Sequence, residues 1–184
     1  MRPAVFLDRD GTVNVDTGFV RRPADVALIP GAARAIARLN AARVPVVVVT
    51  NQSGLGRGII TTADYVGVRD RVAALLGEQA GARLDATYEC PHDPRLGECG
   101  CRKPGTALFV RAARDLDLAL DRSWYVGDRW RDVAPALELG GDGVLVPGAS
   151  TPDEDLRTAH ERARVVDTLG EVVDAVLASL AVAR

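Results

Sequence analysis

Two aspartates lie two residues apart directly after a short apolar segment near the start of the chain. The apolar segment covers residues 5–7, Asp8 and Asp10 follow it, and Gly11 then allows the backbone to turn sharply. In an extended chain, residues i and i+2 project to the same side, with Cα atoms about 6.6 Å apart. One carboxylate can attack as a covalent nucleophile while a second carboxyl group donates a proton to the leaving group. The spacing therefore predicts a reaction centre built on Asp8 and Asp10.

The alternative interpretation of this pair is a turn in which an aspartate side chain hydrogen-bonds to nearby backbone. Other polar residues favour the chemical interpretation because of where they stand in the chain. Thr50 follows a β-branched run, Lys103 precedes a predicted helix, and Asp128 follows a further apolar run. In an open α/β sheet, ligand sites lie at the carboxyl ends of the strands. We therefore expect these residues to lie close together.

Electrostatics predict a metal ion at such a site if the substrate is a phosphate monoester. Asp8 would then be an anion approaching an anion, and two unit charges about 4 Å apart repel by roughly 4 kcal/mol at an effective dielectric constant of about 20. Magnesium suits carboxylate and phosphate oxygens and reduces this repulsion. Asp128, and Asp132 one helical turn further along, can both reach the same metal region.

A second group of side chains is suited to binding phosphate oxygens. Thr50, Asn51 and Gln52 supply a hydroxyl and two amide groups directly after the β-branched run. Arg102 and Lys103 supply positive charge just before a predicted helix. Nucleophile, proton donor, phosphate-binding groups and metal-binding acid are thus all present, which favours phosphoryl-transfer chemistry.

All three cysteines of the chain lie between positions 90 and 101, together with one of its two histidines. Three thiolates and an imidazole form a complete tetrahedral zinc site of the structural kind, which has no open position for water. The expected Zn²⁺ ligands are Cys90, His92, Cys99 and Cys101. A disulfide and inert buried thiols are the alternatives, and the odd number of cysteines weakens the first. The zinc would hold the loop of residues 90–101 and do no chemistry.

Segments typical of strands alternate with segments typical of helices along the chain. Strands are predicted near residues 4–8, 44–50, 86–89, 124–127 and 143–146, and helices near residues 31–42, 62–80, 106–116, 131–139 and 169–180. Such alternation predicts an α/β fold, a Rossmann-like three-layer sandwich with a central parallel sheet. The charged residues 151–164 are expected to form a surface helix. Residues 12–31 leave no room for a large cap domain.

Several residues beside the predicted site receive structural interpretations. Arg9, Arg129 and Arg131 are expected to be surface or rim charges. Trp124 and Tyr125 are expected to pack the sheet. We assign these residues no chemistry.

Length and composition are those of a globular protein. The 184 residues are enough for a single domain, residues 1–184, that buries roughly 70 per cent of its unfolded surface. A formal net charge of −2 and the lack of long basic runs argue against nucleic acid as a partner. The sequence has neither a signal-peptide core nor the roughly 20 apolar residues of a membrane span, so we expect a cytoplasmic protein without a membrane partner. We also expect a monomer.

The motifs resemble those of the haloacid dehalogenase (HAD) superfamily of phosphotransferases. The resemblance extends over residues 5–146 and is carried by Asp8-Arg9-Asp10-Gly11-Thr12, Thr50, Lys103, and Gly127-Asp128 with Asp132. It implies that Asp8 is the nucleophile, and that Asp10 is the general acid and then the base for the hydrolytic water. It also implies that Thr50 and Lys103 bind the transferring phosphoryl group. Asp8, the backbone carbonyl of Asp10 and Asp128 would hold Mg²⁺, whereas the role of Asp132 stays open.

More narrowly, the chain is similar to the heptose-1,7-bisphosphate 7-phosphatase family and to histidinol-phosphate phosphatases. Residues 6–14, 49–54, 90–92 and 99–104 carry this similarity. The histidinol-phosphate branch tends to have an acid at the position of Ser53, so the heptose branch is favoured. That branch implies that Arg102 recognises the uncleaved phosphate or nearby sugar oxygens, with help from Asn51 and Gln52.

The expected function is therefore removal of the 7-phosphate of D-glycero-D-manno-heptose 1,7-bisphosphate, a small-molecule sugar phosphate, through an aspartyl-phosphate and with the help of Mg²⁺. A histidinol-phosphate phosphatase is the alternative enzyme. A catalytically silent, zinc-stabilised binding module is the alternative from another class. The intact set of Asp8, Asp10, Lys103 and Asp128 argues against a silent protein.

Overall fold

Short runs of β-branched and aliphatic residues form the strands of a central sheet. A computed structural model describes residues 1–182 of the chain. Its six strands are β1 (Val5–Leu7), β2 (Val46–Asn51), β3 (Ala86–Cys90), β4 (Trp124–Gly127), β5 (Asp142–Leu145) and β6 (Arg164–Val165). All neighbouring pairs of these strands are parallel. The predicted domain extends to residue 184, and residues 183 and 184 lie outside the described part.

The order of the strands is β3-β2-β1-β4-β5-β6. The strands β2 and β3 lie in sequence on one side of β1. The strands β4, β5 and β6 lie in sequence on its other side. Such a reversal is the switch point of a doubly wound sheet, where the loops at the carboxyl ends separate and leave a crevice for a ligand. Leu7 in β1 is in register with Val48 and with Val126. Asp8 therefore follows β1 at this crevice.

Eight α-helices connect or flank the strands in the described residues. They are α1 (Ala32–Ala41), α2 (Ser53–Gly56), α3 (Thr62–Ala80), α4 (Ala107–Leu116), α5 (Trp130–Val133), α6 (Pro135–Leu139), α7 (Asp153–Arg162) and α8 (Leu169–Val182). The longest, α3, begins with a capping box. The Asp64 N–H donates to Thr61 Oγ1 at 3.1 Å, and the Thr61 N–H donates to Asp64 Oδ2 at 2.8 Å. The bounds predicted for this helix, residues 62–80, are confirmed.

Different helices cover the two faces of the sheet. Side chains from α1, α3 and α8 pack on one face, and side chains from α4 and α6 pack on the other. Side chains alternate between the two faces along β1. Val5 and Leu7 pack on the face covered by α1, α3 and α8, and Phe6 packs on the face covered by α4 and α6. The predicted three-layer α/β fold is thus confirmed.

Two segments differ from the predictions made from sequence. The helix predicted over residues 131–139 is divided into α5 and α6, because Pro135 lacks a backbone N–H and begins a new helix. The charged residues 151–164 form α7 as expected but continue into the two-residue edge strand β6. Such a short strand has no alternating pattern by which a sequence could reveal it.

The connection between β1 and α1 contains only a short 3-10 helix at Pro23–Asp25. The described chain accordingly carries no large cap domain over the crevice, as predicted. Among residues 1–182, no helix combines the length and the apolar character needed to cross a membrane.

An aromatic cluster joins β1 to the layer of α4 and should dominate the stability of that face. Phe109 packs its ring 5.2 Å from the ring centroids of both Phe6 and Tyr125. Phe109→Ala is expected to lower the free energy of unfolding by about 3–5 kcal/mol, because it opens a cavity in a packed core. Denaturant unfolding followed by circular dichroism measures this change. Val110→Ala, next in α4 at a site 51 per cent exposed, is the matched control. It should cost less than about 0.5 kcal/mol, and equal losses for both variants would contradict the assignment.

Candidate active site

A buried ammonium group joins the acids at the carboxyl ends of β1 and β4. Lys103 Nζ lies 2.7 Å from Asp8 Oδ1 and 2.8 Å from Asp132 Oδ1. Asp128 completes the group, since one carboxylate oxygen each of Asp8, Asp128 and Asp132 lie within 4.8 Å of one another. All four side chains are buried. The structure therefore brings together Asp8, Lys103 and Asp128, which the sequence spreads over 120 positions.

Glycines allow two of these acids to approach the neighbouring backbone closely. Gly11 has φ +91°, and a Cβ atom there would lie 2.6 Å from the Asp128 carboxylate. A Cβ atom on Gly127 would likewise overlap the side chain of Asp132. Any larger residue at either position would push an acid out of the cluster, so the glycines in the two motifs serve the site.

Burial dominates the protonation of the acids. It raises the pKa of Asp8 to about 7, with repulsion from Asp132 adding to the rise and Lys103 opposing it. Burial also raises the pKa of Asp128 to about 6, with Asp132 again adding to the rise. Burial alone would lower the pKa of Lys103, but attraction to Asp132 and Asp8 outweighs it and the net shift is upward. The lysine therefore stays charged.

The charge balance of this cluster fits a divalent cation. Three carboxylates and one ammonium group carry a formal net charge of −2 when all are ionised. Oδ2 of Asp128 is buried and accepts no hydrogen bond from the described residues, and Arg129 Nε approaches it only to 3.4 Å from the rim. A small set of carboxylate oxygens of this kind is the donor set that Mg²⁺ prefers.

Asp132, whose role the sequence left open, uses its two oxygens differently. Oδ2 accepts a hydrogen bond of 3.1 Å from the Arg129 N–H and so caps α5. Oδ1 pairs with Lys103. A capped helix thus carries one of the two carboxylates that orient the lysine.

The carboxylate of Asp10 makes contacts of a different kind. Its Oδ1 accepts from Arg9 Nε at 3.1 Å and Asn14 Nδ2 at 3.0 Å, and its Oδ2 accepts from Arg9 Nη2 at 2.9 Å and Gln52 Nε2 at 2.8 Å. The prediction that Arg9 is a surface or rim charge is wrong, because its side chain is only 4 per cent exposed. Arg129 and Arg131, with side chains 23 and 46 per cent exposed, do lie at the rim.

Sequence reasoning missed the contribution of Arg9 and Asn14 to the site. One signal was available, because Arg9 stands between two acids directly after a buried strand, where an unpaired cation cannot stay. For Asn14 the sequence offers no comparable signal. Trp124 and Tyr125 are buried in the sheet layers as predicted.

The phosphate-binding candidates fall into two groups. Thr50, at the end of β2, is buried and its Oγ1 accepts from Gln52 Nε2 at 2.8 Å. Asn51 instead hydrogen-bonds to the backbone of Lys103. Its Nδ2 donates to the Lys103 carbonyl at 3.1 Å, and its Oδ1 accepts from the Lys103 N–H at 3.0 Å. Arg102 keeps a buried Nη1 without a hydrogen-bond partner in the described residues. The two amides therefore hold other site residues, and Arg102 retains a free donor.

The four predicted zinc ligands converge beside this group. Cys90 Sγ lies 3.2 Å from Cys101 Sγ and 3.6 Å from Cys99 Sγ, and His92 Nδ1 lies 3.0 Å from Cys101 Sγ. One donor atom from each of the four residues lies within 4.8 Å of the others. The three cysteines are free thiols, so the disulfide alternative does not apply in the described residues. Three sulfurs and one nitrogen at this spacing fit a structural zinc ion.

Comparison with known proteins gives the family. A HAD-hydrolase-like family model matches residues 100–172. A D-glycero-D-manno-heptose-1,7-bisphosphate 7-phosphatase from Thermosynechococcus vestitus is 39 per cent identical, with 92 per cent of this chain and 91 per cent of that protein covered. A D-glycero-beta-D-manno-heptose-1,7-bisphosphate 7-phosphatase from Bordetella bronchiseptica is 42 per cent identical, with 90 and 96 per cent covered. The chain belongs to the heptose-1,7-bisphosphate 7-phosphatase family of HAD-like hydrolases.

A solved structure supports the same placement. The crystal structure of D,D-heptose 1,7-bisphosphate phosphatase from B. bronchiseptica, complexed with magnesium and phosphate, superposes with a TM-score of 0.84. The two chains are 38 per cent identical, and the match covers 97 per cent of this chain and 99 per cent of the other. The heptose-1,7-bisphosphate 7-phosphatase family thus accounts for both the fold and the motifs of nearly the whole chain.

The raised pKa values predict how the stability of the magnesium-free protein depends on pH. Asp8 has a pKa of about 7 when folded and 3.8 as a free side chain, so between these values the native state keeps a proton that the unfolded chain releases. Asp128 acts in the same direction up to about 6. Stability contributed by these groups is therefore present at low pH and is lost as the pH rises through this window.

Thermal melting without magnesium, from about pH 4.5 to about pH 7.5, measures this dependence. Asp8→Asn removes one titrating carboxyl group, so its melting temperature should change less over this window than that of the wild type. Asp174→Asn, at an exposed ion pair with Arg38, is the matched control and should follow the wild type. An Asp8→Asn profile as steep as that of the wild type would contradict the raised pKa.

Proposed function

We propose that this chain is a magnesium-dependent phosphatase that removes the 7-phosphate of D-glycero-D-manno-heptose 1,7-bisphosphate through a phosphoryl group carried by Asp8. The single observation that carries the proposal is the cluster of Asp8, Lys103, Asp128 and Asp132 at the switch point of the sheet. The named activity of relatives that match at least 90 per cent of the chain supplies the substrate.

In the first half-reaction, an oxygen of Asp8 attacks the phosphorus as the bond to the sugar oxygen breaks. Lys103 holds Oδ1 of Asp8 and faces the position where charge develops on the phosphoryl oxygens. Thr50 lies at the end of the neighbouring strand and offers its hydroxyl to the same group. The leaving sugar oxygen takes a proton from Asp10.

In the second half-reaction, water attacks the phosphorus of the Asp8 phosphoryl group and the bond to Asp8 breaks. Asp10, now ionised, accepts the proton of that water, which returns both acids to their starting state. The same side chain thus serves as acid and then as base.

Asp8, the backbone carbonyl of Asp10 and Asp128 would hold Mg²⁺, which would supply positive charge that reduces repulsion between the nucleophile and the phosphate. Support for this ligand set comes from the charge of the acid cluster and from the unpartnered Oδ2 of Asp128. The related phosphatase from B. bronchiseptica was crystallised with magnesium and phosphate.

The part of the substrate that is not cleaved needs a cation near the crevice. Arg102 directly precedes Lys103 and has a buried, unpartnered Nη1 in the described chain, so we propose that it binds the distal phosphate or nearby sugar oxygens. Asn51 and Gln52 support the site by holding Lys103 and Asp10 and can also contact the substrate.

Phosphate release from three substrates tests this function. With magnesium, heptose 1,7-bisphosphate should be hydrolysed with the highest kcat/KM, histidinol phosphate with a lower value, and an aryl phosphate with the lowest. Asp8→Asn should lose at least about 1,000-fold in kcat on every substrate while still binding substrate, because it lacks the nucleophile.

Each other outcome has a clear meaning. Preference for histidinol phosphate would move the chain to the alternative enzyme. No turnover of any substrate by the wild type would favour a silent binding module. Near wild-type turnover by Asp8→Asn would remove Asp8 from its proposed role.

We also propose that Cys90, His92, Cys99 and Cys101 bind a structural zinc ion. The support is the convergence of four suitable donors in a loop whose Leu96 is 84 per cent exposed. Arg102 and Lys103 follow Cys101 directly. Asn51, at the end of β2, makes two hydrogen bonds to the Lys103 backbone. A fixed loop would therefore hold the side chains of Arg102 and Lys103 in position to bind the substrate.

Removal of zinc should lower the melting temperature and raise KM, because the loop that positions Arg102 and Lys103 loses its cross-link. Zinc content by mass spectrometry of the native protein, melting and kinetics before and after chelation measure this effect, with magnesium restored for the assays. Cys101→Ser should reproduce it. Unchanged melting and unchanged KM after complete removal would contradict the role of zinc.

The monomeric state and the cytoplasmic location stay predictions. Light scattering of the purified protein tests the first, and fractionation of the producing cells tests the second. A sugar phosphate is the partner that the proposed activity requires.

A further inference from the structure

Arg9 is a buried cation that the proposed mechanism does not use. It stands between the nucleophile and the proposed acid–base residue, and only 3 per cent of the residue is exposed. A buried guanidinium group is strongly destabilising unless it is paired with good geometry. Its position therefore has to be explained by its partners.

The main partner of Arg9 is Asp10. The Arg9 guanidinium group binds the Asp10 carboxylate in a bidentate fork. Nε donates to Oδ1 at 3.1 Å, and Nη2 donates to Oδ2 at 2.9 Å. Asn14 and Gln52 each add one donor, at 3.0 and 2.8 Å. These donors approach from three side chains and fix the plane of the carboxylate, which a single hydrogen bond would leave free to rotate. The Asp10 side chain itself stays 18 per cent exposed and so remains accessible from the crevice.

A second contact holds Arg9 from the side. The guanidinium carbon lies 5.5 Å from the ring centroid of Tyr65 in α3, which is itself buried. The Tyr65 hydroxyl donates to Glu89 Oε2 in β3 at 3.2 Å. The guanidinium group is thus fixed through a helix and an edge strand, both outside the loop that carries the two acids.

We propose that Arg9 is a positioning residue for Asp10, which it holds in the orientation required for proton transfer in both half-reactions. The inference rests on the proposed function, because it assigns Arg9 to the same two half-reactions. Tyr65 and Glu89 complete the support by keeping the guanidinium group in place. A misplaced catalytic group can cost about 100-fold in rate, which sets the size of the expected effect.

The two half-reactions depend on Asp10 to different degrees, and the leaving group decides how much. A sugar alkoxide needs a proton from Asp10 as the bond from phosphorus to oxygen breaks. A nitrophenolate ion leaves without a proton, so formation of the Asp8 phosphoryl group no longer depends on Asp10. Hydrolysis of that group still requires Asp10 to take a proton from water, whichever substrate supplied the phosphate.

The experiment compares wild type, Arg9→Met and Arg9→Lys with magnesium, on p-nitrophenyl phosphate and on heptose 1,7-bisphosphate. For Arg9→Met on the aryl phosphate, kcat should fall about 100-fold while kcat/KM changes little, so KM falls in parallel. Rapid mixing should then show a nitrophenolate burst stoichiometric with enzyme. On the sugar phosphate, kcat and kcat/KM should both fall. Arg9→Lys keeps the charge but loses the fork, and should show the same pattern with a smaller loss.

Arg38→Met removes an arginine from an exposed ion pair and is the matched control, with kinetics expected to equal those of the wild type. Equal losses of kcat/KM on both substrates without a burst would show that Arg9 does not act through Asp10, and would overturn the proposal. Wild-type rates for Arg9→Met would overturn it as well. If the wild type hydrolyses neither substrate, the proposed function itself fails.

If Arg9→Met does not fold, Arg9→Lys supplies the same comparison, and thermal melting identifies that case. Tyr65→Leu removes the ring that holds the guanidinium group without touching Asp10. It should produce the same fall in kcat on the aryl phosphate, to a smaller extent than Arg9→Met. An unchanged kcat for folded Arg9→Lys and Tyr65→Leu would contradict the proposal.

Discussion

Repulsion among buried carboxylates is the constraint on which the rest of this molecule depends. Asp8, Asp128 and Asp132 share one pocket with a single ammonium group, that of Lys103. At an effective dielectric constant of about 20, two such charges about 4 Å apart repel by roughly 4 kcal/mol. The cluster can persist only if the surrounding structure is rigid and if protons or a cation reduce its charge. Burial, with repulsion from Asp132 added to it, raises the pKa values of Asp8 and Asp128 in the magnesium-free protein.

The sheet supplies the rigidity at this point. β1 is paired along its whole length with β2 and β4, and its side chains are buried on both faces. The acids follow the strands directly, so little flexible chain separates them from the core. The acids that the proposed reaction needs are thus the ones whose charge lowers the stability of the fold. Such a cost is expected where a functional site retains unfavourable charge.

The loop of residues 90–101 and the crevice with the acid cluster form one connected unit. Cys90 ends β3 beside Asn51, and the loop returns through Cys101 to Lys103. Asn51 then joins the end of β2 to the Lys103 backbone by two hydrogen bonds. The proposed zinc ion would add a cross-link to this loop, which is already attached at the ends of β2 and β3. We infer that the loop fixes the cations of the site and so takes part in substrate binding without taking part in chemistry.

Local rules explain which predictions succeeded. Strand and helix patterns and the position of acids after strands are all properties of a few neighbouring residues. The edge strand β6 and the break at Pro135 were misjudged, the first because two residues carry no pattern and the second because proline both ends and begins helices. Arg9 was misjudged because a charged residue in a loop is most often exposed, although its place between two acids directly after a buried strand indicated a paired cation.

The sequence by itself determined the chemical groups of the site, the α/β alternation and the four members of the Cys/His cluster. These follow from residue type and spacing, which no folding step can change. Only the tertiary structure decided that Asp132 faces Lys103, that Asn51 holds the Lys103 backbone and that Arg9 turns inward onto Asp10. Each of these contacts joins side chains to partners whose direction depends on how strands and helices pack. Side-chain orientation is set by that packing, and so it could not be read from the order of the residues.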